Sequence, residues 1–286
     1  MSALTACAHA PAAPDACVMA AGATRDAPVR VPFEIVGGRV YVQTQVNGGG
    51  PYRFAVDTGA SGMGRVDASL ATALHLQVTG VAQSSDGVTT ADVNTVHLGS
   101  VAIGDLRRAD LDLIMRDYSS SVPPEAAISG ILGRDFFSDG LLVLDFPART
   151  LSFTRSSGLA PGDANALAYE RPFRVAAQIG DLPVTANLDT GAAVTLVLPQ
   201  TTYAKIEASP LEAAGRARLT NGAVDTSRTI VHGPVVVGAA SASGVEARVS
   251  NHYPEVLIGG QILQNYVVAI DQRSRLVAVC APNLSR

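Results

Sequence analysis

The tetrapeptide Asp-Thr-Gly-Ala occurs twice in this chain, at 57–60 and again at 189–192, each time at the end of a short strand-like run, Phe54-Ala55-Val56 and Ala186-Asn187-Leu188. A given tripeptide is expected by chance about once in several thousand residues at average usage, so two copies in equivalent settings point to an internal repeat. A second pair of segments keeps the same register. Gly130-Ile131-Leu132-Gly133 and Val256-Leu257-Ile258-Gly259 are each followed, twelve residues after the last glycine, by an aspartate that closes an apolar run, Asp145 and Asp271. From Asp57 to Gly133 the chain runs 76 residues, and from Asp189 to Gly259 it runs 70. Such a chain has to fold as two similar halves.

Each half reads as short strands. Gly 27 and Pro 16, with Val, Thr and Leu in brief runs between them, predict many strands and tight turns and no long helix. Leu141–Asp145 with Leu151–Phe153, and Val267–Asp271 with Leu276–Val279, predict a hairpin at the end of each half. With 47% hydrophobic and 16% charged residues the chain has ample material for a core in each. The run Arg155-Ser-Ser-Gly-Leu-Ala-Pro-Gly-Asp-Ala-Asn165 has linker composition. The expected organisation is therefore a tail over 1–29, a first lobe over 30–155, a linker over 156–167 and a second lobe over 168–282. The net charge of -4 includes no basic run, which argues against a nucleic-acid partner. No stretch of about 18 apolar residues predicts a membrane span in the body of the chain.

The tail is rich in Ala and Pro. Ala20-Ala-Gly-Ala23 fits a small-residue cleavage site, and Leu4-Thr5-Ala6-Cys7 resembles a lipobox, so the expectation is a periplasmic or secreted protein with lipid anchoring through Cys7 as one form of it. Cys7, Cys17 and Cys280 lie at the chain ends without metal-binding spacing. In an oxidising compartment a bridge from Cys17 to Cys280 would leave Cys7 free. The five histidines form no H-E-x-x-H, and no metal or cofactor is expected. Gly59-Ala-Ser-Gly-Met63 fails the Gly-x-Ser-x-Gly pattern of a serine hydrolase at its last place.

An apolar strand running into Asp-Thr-Gly-Ala, followed some 70 residues later by apolar-apolar-Gly and a short helix, resembles the aspartic peptidase superfamily. Ile131-Leu132-Gly133-Arg134-Asp135 looks like retropepsins and their bacterial relatives, and two Asp-Thr-Gly copies in one chain look like pepsin. The resemblance implies an all-β, bilobal, pepsin-like fold made of duplicated retropepsin-like β-barrel lobes. It implies a catalytic pair Asp57 and Asp189, supported by Thr58, Gly59, Thr190 and Gly191, that activates a water to hydrolyse a polypeptide substrate within a monomer. Ile131-Leu132-Gly133 and Leu257-Ile258-Gly259 would pass beside the two aspartates. The alternative is a catalytically silent peptide-binding or scaffold protein with the same fold, since fold alone does not confer function.

The residue types suit that chemistry. Two carboxylates in hydrogen-bond contact cannot both ionise easily and share one proton. Hairpin turns at Gly87, in Ser84-Ser-Asp-Gly-Val-Thr89, and at Gly222, in Leu219-Thr-Asn-Gly222, are the flap candidates. The chain departs from the families in three places. No tyrosine lies between Tyr52 and Tyr118, where pepsins carry one on the flap. Ser61 and Ala193 stand where retropepsins place an aspartate to pair with the arginine of Gly-Arg-Asp, so Arg134 and Asp135 read as a helix-start surface pair. Ala60 and Ala192 replace the Ser or Thr of many pepsin-like enzymes, which predicts a dyad that is easier to protonate.

Overall fold

A computed structural model describes residues 27–86, 88–120 and 122–282. The first half forms an eight-stranded sheet in the order Glu34–Val36, Arg39–Val46, Gly49–Asp57, Gly130–Gly133, Gly64–Asp67, Leu106–Arg116, Thr90–Ile103 and Val78–Ser85, and Arg39–Val46 pairs again with Thr90–Ile103 to curl it toward a barrel. The second half forms a nine-stranded sheet whose centre repeats the arrangement: Leu196–Pro199, Val256–Gly259, Leu182–Asp189 and Arg174–Ile179. Helices are confined to short turns such as Ala68–Ala73 and Gly260–Leu263. This is the all-β, two-lobed fold the duplication demands.

Period-two alternation does most of the sorting. In Arg39–Val46 the side chains of Val40, Val42, Thr44 and Val46 point into the lobe while Gln43 and Gln45 stay exposed. Tyr41 breaks the pattern. It lies on the outer face yet is 3% exposed, because Ala55 and Ile131 cover it on adjacent strands. That second, small apolar layer lies on the face that carries the candidate site.

A third sheet joins the halves. Its six strands run Val29–Pro32, Thr150–Thr154, Leu141–Asp145, Val267–Asp271, Leu276–Cys280 and Ala166–Ala168. At its centre Leu141 faces Asp271, Val143 faces Ala269 and Asp145 faces Val267. Since Asp145 and Asp271 are equivalent in the repeat, this antiparallel pair places the halves about a local twofold axis. The terminal hairpins predicted for each half are both present in this sheet.

The segment with linker composition is packed down rather than loose. Leu159 is buried against Leu141, Val143, Ala269 and Leu276. Its N–H donates to Asp271 Oδ2 at 3.1 Å, and Arg273 reaches the carbonyls of Arg155 (2.8 Å) and Ser157 (2.6 Å). Gly and Pro signalled a break in secondary structure there, but one apolar residue and one buried carboxylate are enough to fix the path. Cys280 is buried in the same cluster and is disulfide-bonded. The expected Cys17 pairing and the lipobox at Cys7 lie outside the described residues.

Candidate active site

Asp57 and Asp189 each end a strand that runs parallel to an apolar-apolar-Gly strand, with Asp57 beside Gly133 and Asp189 beside Gly259. The glycines are required by space. A Cβ on Gly133 would meet Gly62 O at 2.4 Å, and one on Gly259 would meet Val194 O at 2.1 Å. Without side chains there, each aspartate loop folds back over its supporting strand: Gly133 N–H donates to Met63 O (3.0 Å), Arg134 N–H to Ala60 O (2.9 Å), Gly259 N–H to Thr195 O (3.1 Å) and Gly260 N–H to Ala192 O (3.2 Å). The two loops are built alike.

The threonines tie the loops together across the lobes. Thr58 Oγ1 donates to Leu188 O (3.2 Å) and accepts from Thr190 N–H (3.0 Å), while Thr190 Oγ1 donates to Val56 O (3.0 Å) and accepts from Thr58 N–H (3.2 Å). Both are buried, at 3% and 1% exposure. Deleting either hydroxyl would strand a buried N–H and a buried carbonyl, at about 1–3 kcal/mol each. The hydroxyls therefore fix the distance between the carboxylates.

That distance is short. Asp57 lies close enough to Asp189 for a hydrogen bond between the side chains. Each carboxylate also accepts from its own loop, Asp57 Oδ1 from Ala60 N–H at 2.9 Å and Asp189 Oδ1 from Gly191 N–H at 2.8 Å. Burial pushes Asp189 up to about 7, and the charge of Asp57 adds to the shift; the N–H groups of Gly191 and Ala192 oppose it. The pair therefore holds one shared proton at mildly acidic pH. Among the described residues no group of three or more His, Cys, Asp or Glu could hold a metal ion, and no helix is long and apolar enough to cross a membrane.

Comparison with known protein families finds a match in each lobe. A family model described as an aspartyl protease matches residues 42–136, and a model of gag-polyprotein aspartyl proteases matches residues 175–265. The chain belongs to the aspartic peptidases, with one retropepsin-like domain in each lobe. No curated protein matches it. The first match contains Asp57 and Gly133 and the second contains Asp189 and Gly259, so each aspartic peptidase domain supplies one carboxylate with its support.

Around this pair the peptidase domains give several residues contacts that the sequence did not show. Asp135 is one: its Oδ2 accepts from Gly62 N–H at 3.0 Å and pins the Asp57 loop, so it is part of the loop's support and not only a surface partner of Arg134, whose Nε lies 3.8 Å from it. Arg39 is another. Its Nε donates to Gly191 O at 2.7 Å from 152 residues away, and in lobe one Arg134 Nη1 reaches Gly59 O at 3.4 Å. No local pattern announces a contact of that range.

The two predicted turns meet. Gly87 itself lies outside the described residues, but its hairpin is formed by Val78–Ser85 and Thr90–Ile103, and the Gly222 hairpin by Glu212–Arg218 and Ala223–Val231. Asn221 N–H donates to Asp86 Oδ2 at 2.6 Å, and Asn221 Nδ2 donates to Ser84 O (2.7 Å) and Thr89 O (2.6 Å). Burial alone would raise Asp86, but the N–H groups of Thr89, Asn221 and Val88 outweigh it and hold the carboxyl below its usual range. Arg116 Nη1 donates to Thr220 O at 3.2 Å, and its Nη2 binds Asn221 Oδ1. The hairpins of the two lobes are thus clasped tip to tip.

Proposed function

We propose that this aspartic peptidase is an active endopeptidase in which Asp57 and Asp189 hydrolyse peptide bonds by activating one water between them. The observation that carries the reading is the pair of hydrogen-bonded carboxylates with one member pushed up to about 7. The ionised member of the pair takes a proton from the water as it attacks the carbonyl carbon, and the protonated member donates to the carbonyl oxygen. The clasped hairpins act as flaps that open for an extended polypeptide and close over it, excluding water. Both halves of the site come from one chain, which supports a monomer. The disulfide at Cys280 supports an oxidising compartment such as the periplasm or the exterior.

The test is incubation with a mixture of unfolded proteins between pH 4 and 8, with and without a statine-type inhibitor. Inhibitor-sensitive cleavage is expected, with a bell-shaped kcat/KM. Above about pH 7 the proton leaves Asp189 and the general acid is lost, so the alkaline limb should fall there. Stoichiometric capture of unfolded protein without cleavage would favour a silent binding protein instead.

Arg39 sharpens the pH prediction. The Gly191–Ala192 peptide accepts from Arg39 on its oxygen and donates from its N–H to Asp189. A cation on the oxygen strengthens the donor, which favours the ionised carboxylate. Removing it in Arg39→Met should raise the pKa of Asp189 further and move the alkaline limb upward by a few tenths of a pH unit, with the difference shrinking at high salt because Arg39 is exposed. A limb that stays in place or moves down would show that no such relay operates.

A further inference from the structure

Beside Asp57 the outer face of lobe one forms a partly apolar wall with a cationic end. Pairing places Tyr41, Ala55, Ile131 and Arg65 in line across four adjacent strands, since Tyr41 faces Ala55, Ala55 faces Ile131 and Ile131 faces Arg65. Directly paired residues share a face, so Arg65 stands at the edge of the small apolar layer that also holds Tyr118, Ile128 and Ala60. The layer is braced from outside. Arg53 stacks 4.1 Å over the Tyr41 ring, and its Nη1 holds the loop before Ile128 through the carbonyls of Glu125 and Ala127.

Arg65 uses Nη1 for Ser61 O (2.7 Å) and Gly64 O (2.9 Å) and makes no ion pair with a carboxylate among the described residues. Its pKa is lowered, first by burial, while Tyr118 and Asp57 act to raise it and Arg116 and Arg134 to lower it. Three guanidinium groups, of Arg65, Arg116 and Arg134, stand here with the carboxylates of Asp67, which accepts from Tyr118 N–H at 2.8 Å, and Asp135, which lies 3.8 Å from Arg134 Nε, and among the described residues Arg65 and Arg116 form no ion pair. Among the described residues Arg116 is bound to the carbonyl of Thr220 and the amide oxygen of Asn221, and its buried Nε has no acceptor. A buried donor of this kind is destabilising until something supplies an acceptor. Tyr118, pushed up to about 12 by burial, keeps its O–H as a further donor.

We propose that this end of the cleft is a subsite for an acidic side chain, with Arg65 binding the carboxylate and Arg116 adding charge behind it, so that the substrates are polypeptides carrying Glu or Asp close to the scissile bond. The apolar layer takes the methylene stem, and the free edge of the Arg65 fork takes the two oxygens. This rests on the endopeptidase reading above and adds its substrate class. Lysine at the same place meets the same guanidinium groups and is repelled, so selection comes from both attraction and repulsion.

The experiment is a set of fluorogenic peptides that differ only in Glu, Gln or Lys at each of the two residues on either side of the scissile bond. At one of these positions Glu should exceed Gln by about tenfold or more in kcat/KM, since a hydrogen bond to a charged group contributes about 1.5–3 kcal/mol, and the gain should appear mainly in KM. Arg65→Gln should collapse the Glu-over-Gln ratio to within about twofold, Arg65→Lys should leave part of it, and Arg65→Glu should turn the preference toward Lys. The same peptides are also titrated by fluorescence anisotropy against the Asp57→Asn variant, which scores binding without turnover. Absence of any cleavage would remove the endopeptidase reading while leaving the binding order to decide the subsite. Equal handling of Glu, Gln and Lys by the wild-type chain in both assays, or a Glu preference that Arg65→Gln leaves unchanged, would overturn the acidic subsite.

Discussion

Asp57→Asn and Asp189→Asn should each lower kcat/KM by about a thousandfold or more, because either change removes one end of the shared proton while keeping the shape of the side chain. The double variant should be little worse than the worse single one, since the two carboxylates act as a unit. Stability should respond differently. In the folded chain Asp189 titrates at about 7, above the ordinary range of an unfolded aspartate near 4, so its protonated form favours folding and that contribution is lost as pH rises through about 7. Asparagine cannot ionise and escapes the loss. Asp189→Asn should therefore melt close to wild type at pH 4 and above it at pH 8, by an amount on the order of a few kcal/mol at most. Turnover assays and melts at the two pH values check both halves. Near-normal turnover in either variant would remove that aspartate from the dyad, and a lower melting temperature at pH 8 would mean that Asp189 is not held protonated.

The fold and the centre of the site were legible because both repeat. A pair of Asp-Thr-Gly loops and a pair of glycines at matched offsets specify two copies of one local structure, and the glycines are legible since nothing larger fits beside the loops, as the 2.4 Å and 2.1 Å approaches at Gly133 and Gly259 show. The residues that surround the dyad obey no such rule. Arg39 meets Gly191 across 152 positions, and Asn221 meets Asp86 across 135. Turn chemistry placed Asn221 in a hairpin, but nothing in Asn-Gly says what the asparagine will face. Asp135 does stand at the start of a short helix and pair with its neighbour Arg134, as the sequence suggested, but its second oxygen is claimed by Gly62 of the Asp57 loop, which no local pattern announces. Arg65 carried a weak signal, a cation next to Val66 in the four-residue strand Gly64–Asp67. Only the register with Ile131 turns that signal into a position beside the catalytic pair.

Gly191→Ala is expected to lower kcat/KM by about a hundredfold with the fold intact. A Cβ at 191 would sit 2.2 Å from the Asp57 carboxyl carbon and 2.4 Å from both of its oxygens, closer than real Cβ contacts come. At position 59 the added carbon would approach Asp189 Oδ2 at 2.5 Å, so Gly59→Ala should behave in the same way and somewhat more mildly. Neither glycine is in the left-handed region, and neither substitution strains the backbone directly. The whole conflict falls on the opposite aspartate. That side chain cannot swing aside freely, because Asp57 Oδ1 is held by Ala60 N–H and Asp189 Oδ1 by Gly191 N–H. A displacement approaching 1 Å in one reacting group can cost about a hundredfold in rate. Gly99→Ala serves as the comparison, since its added carbon would reach only Asn47 Oδ1 at 3.4 Å, and its activity should match wild type. Reading kcat/KM beside a thermal melt separates lost geometry from lost folding. If Gly191→Ala and Gly59→Ala turn over substrate like Gly99→Ala, then each glycine does not lie against the other lobe's aspartate as the structure places it, and the pairing of the carboxylates has to be redrawn.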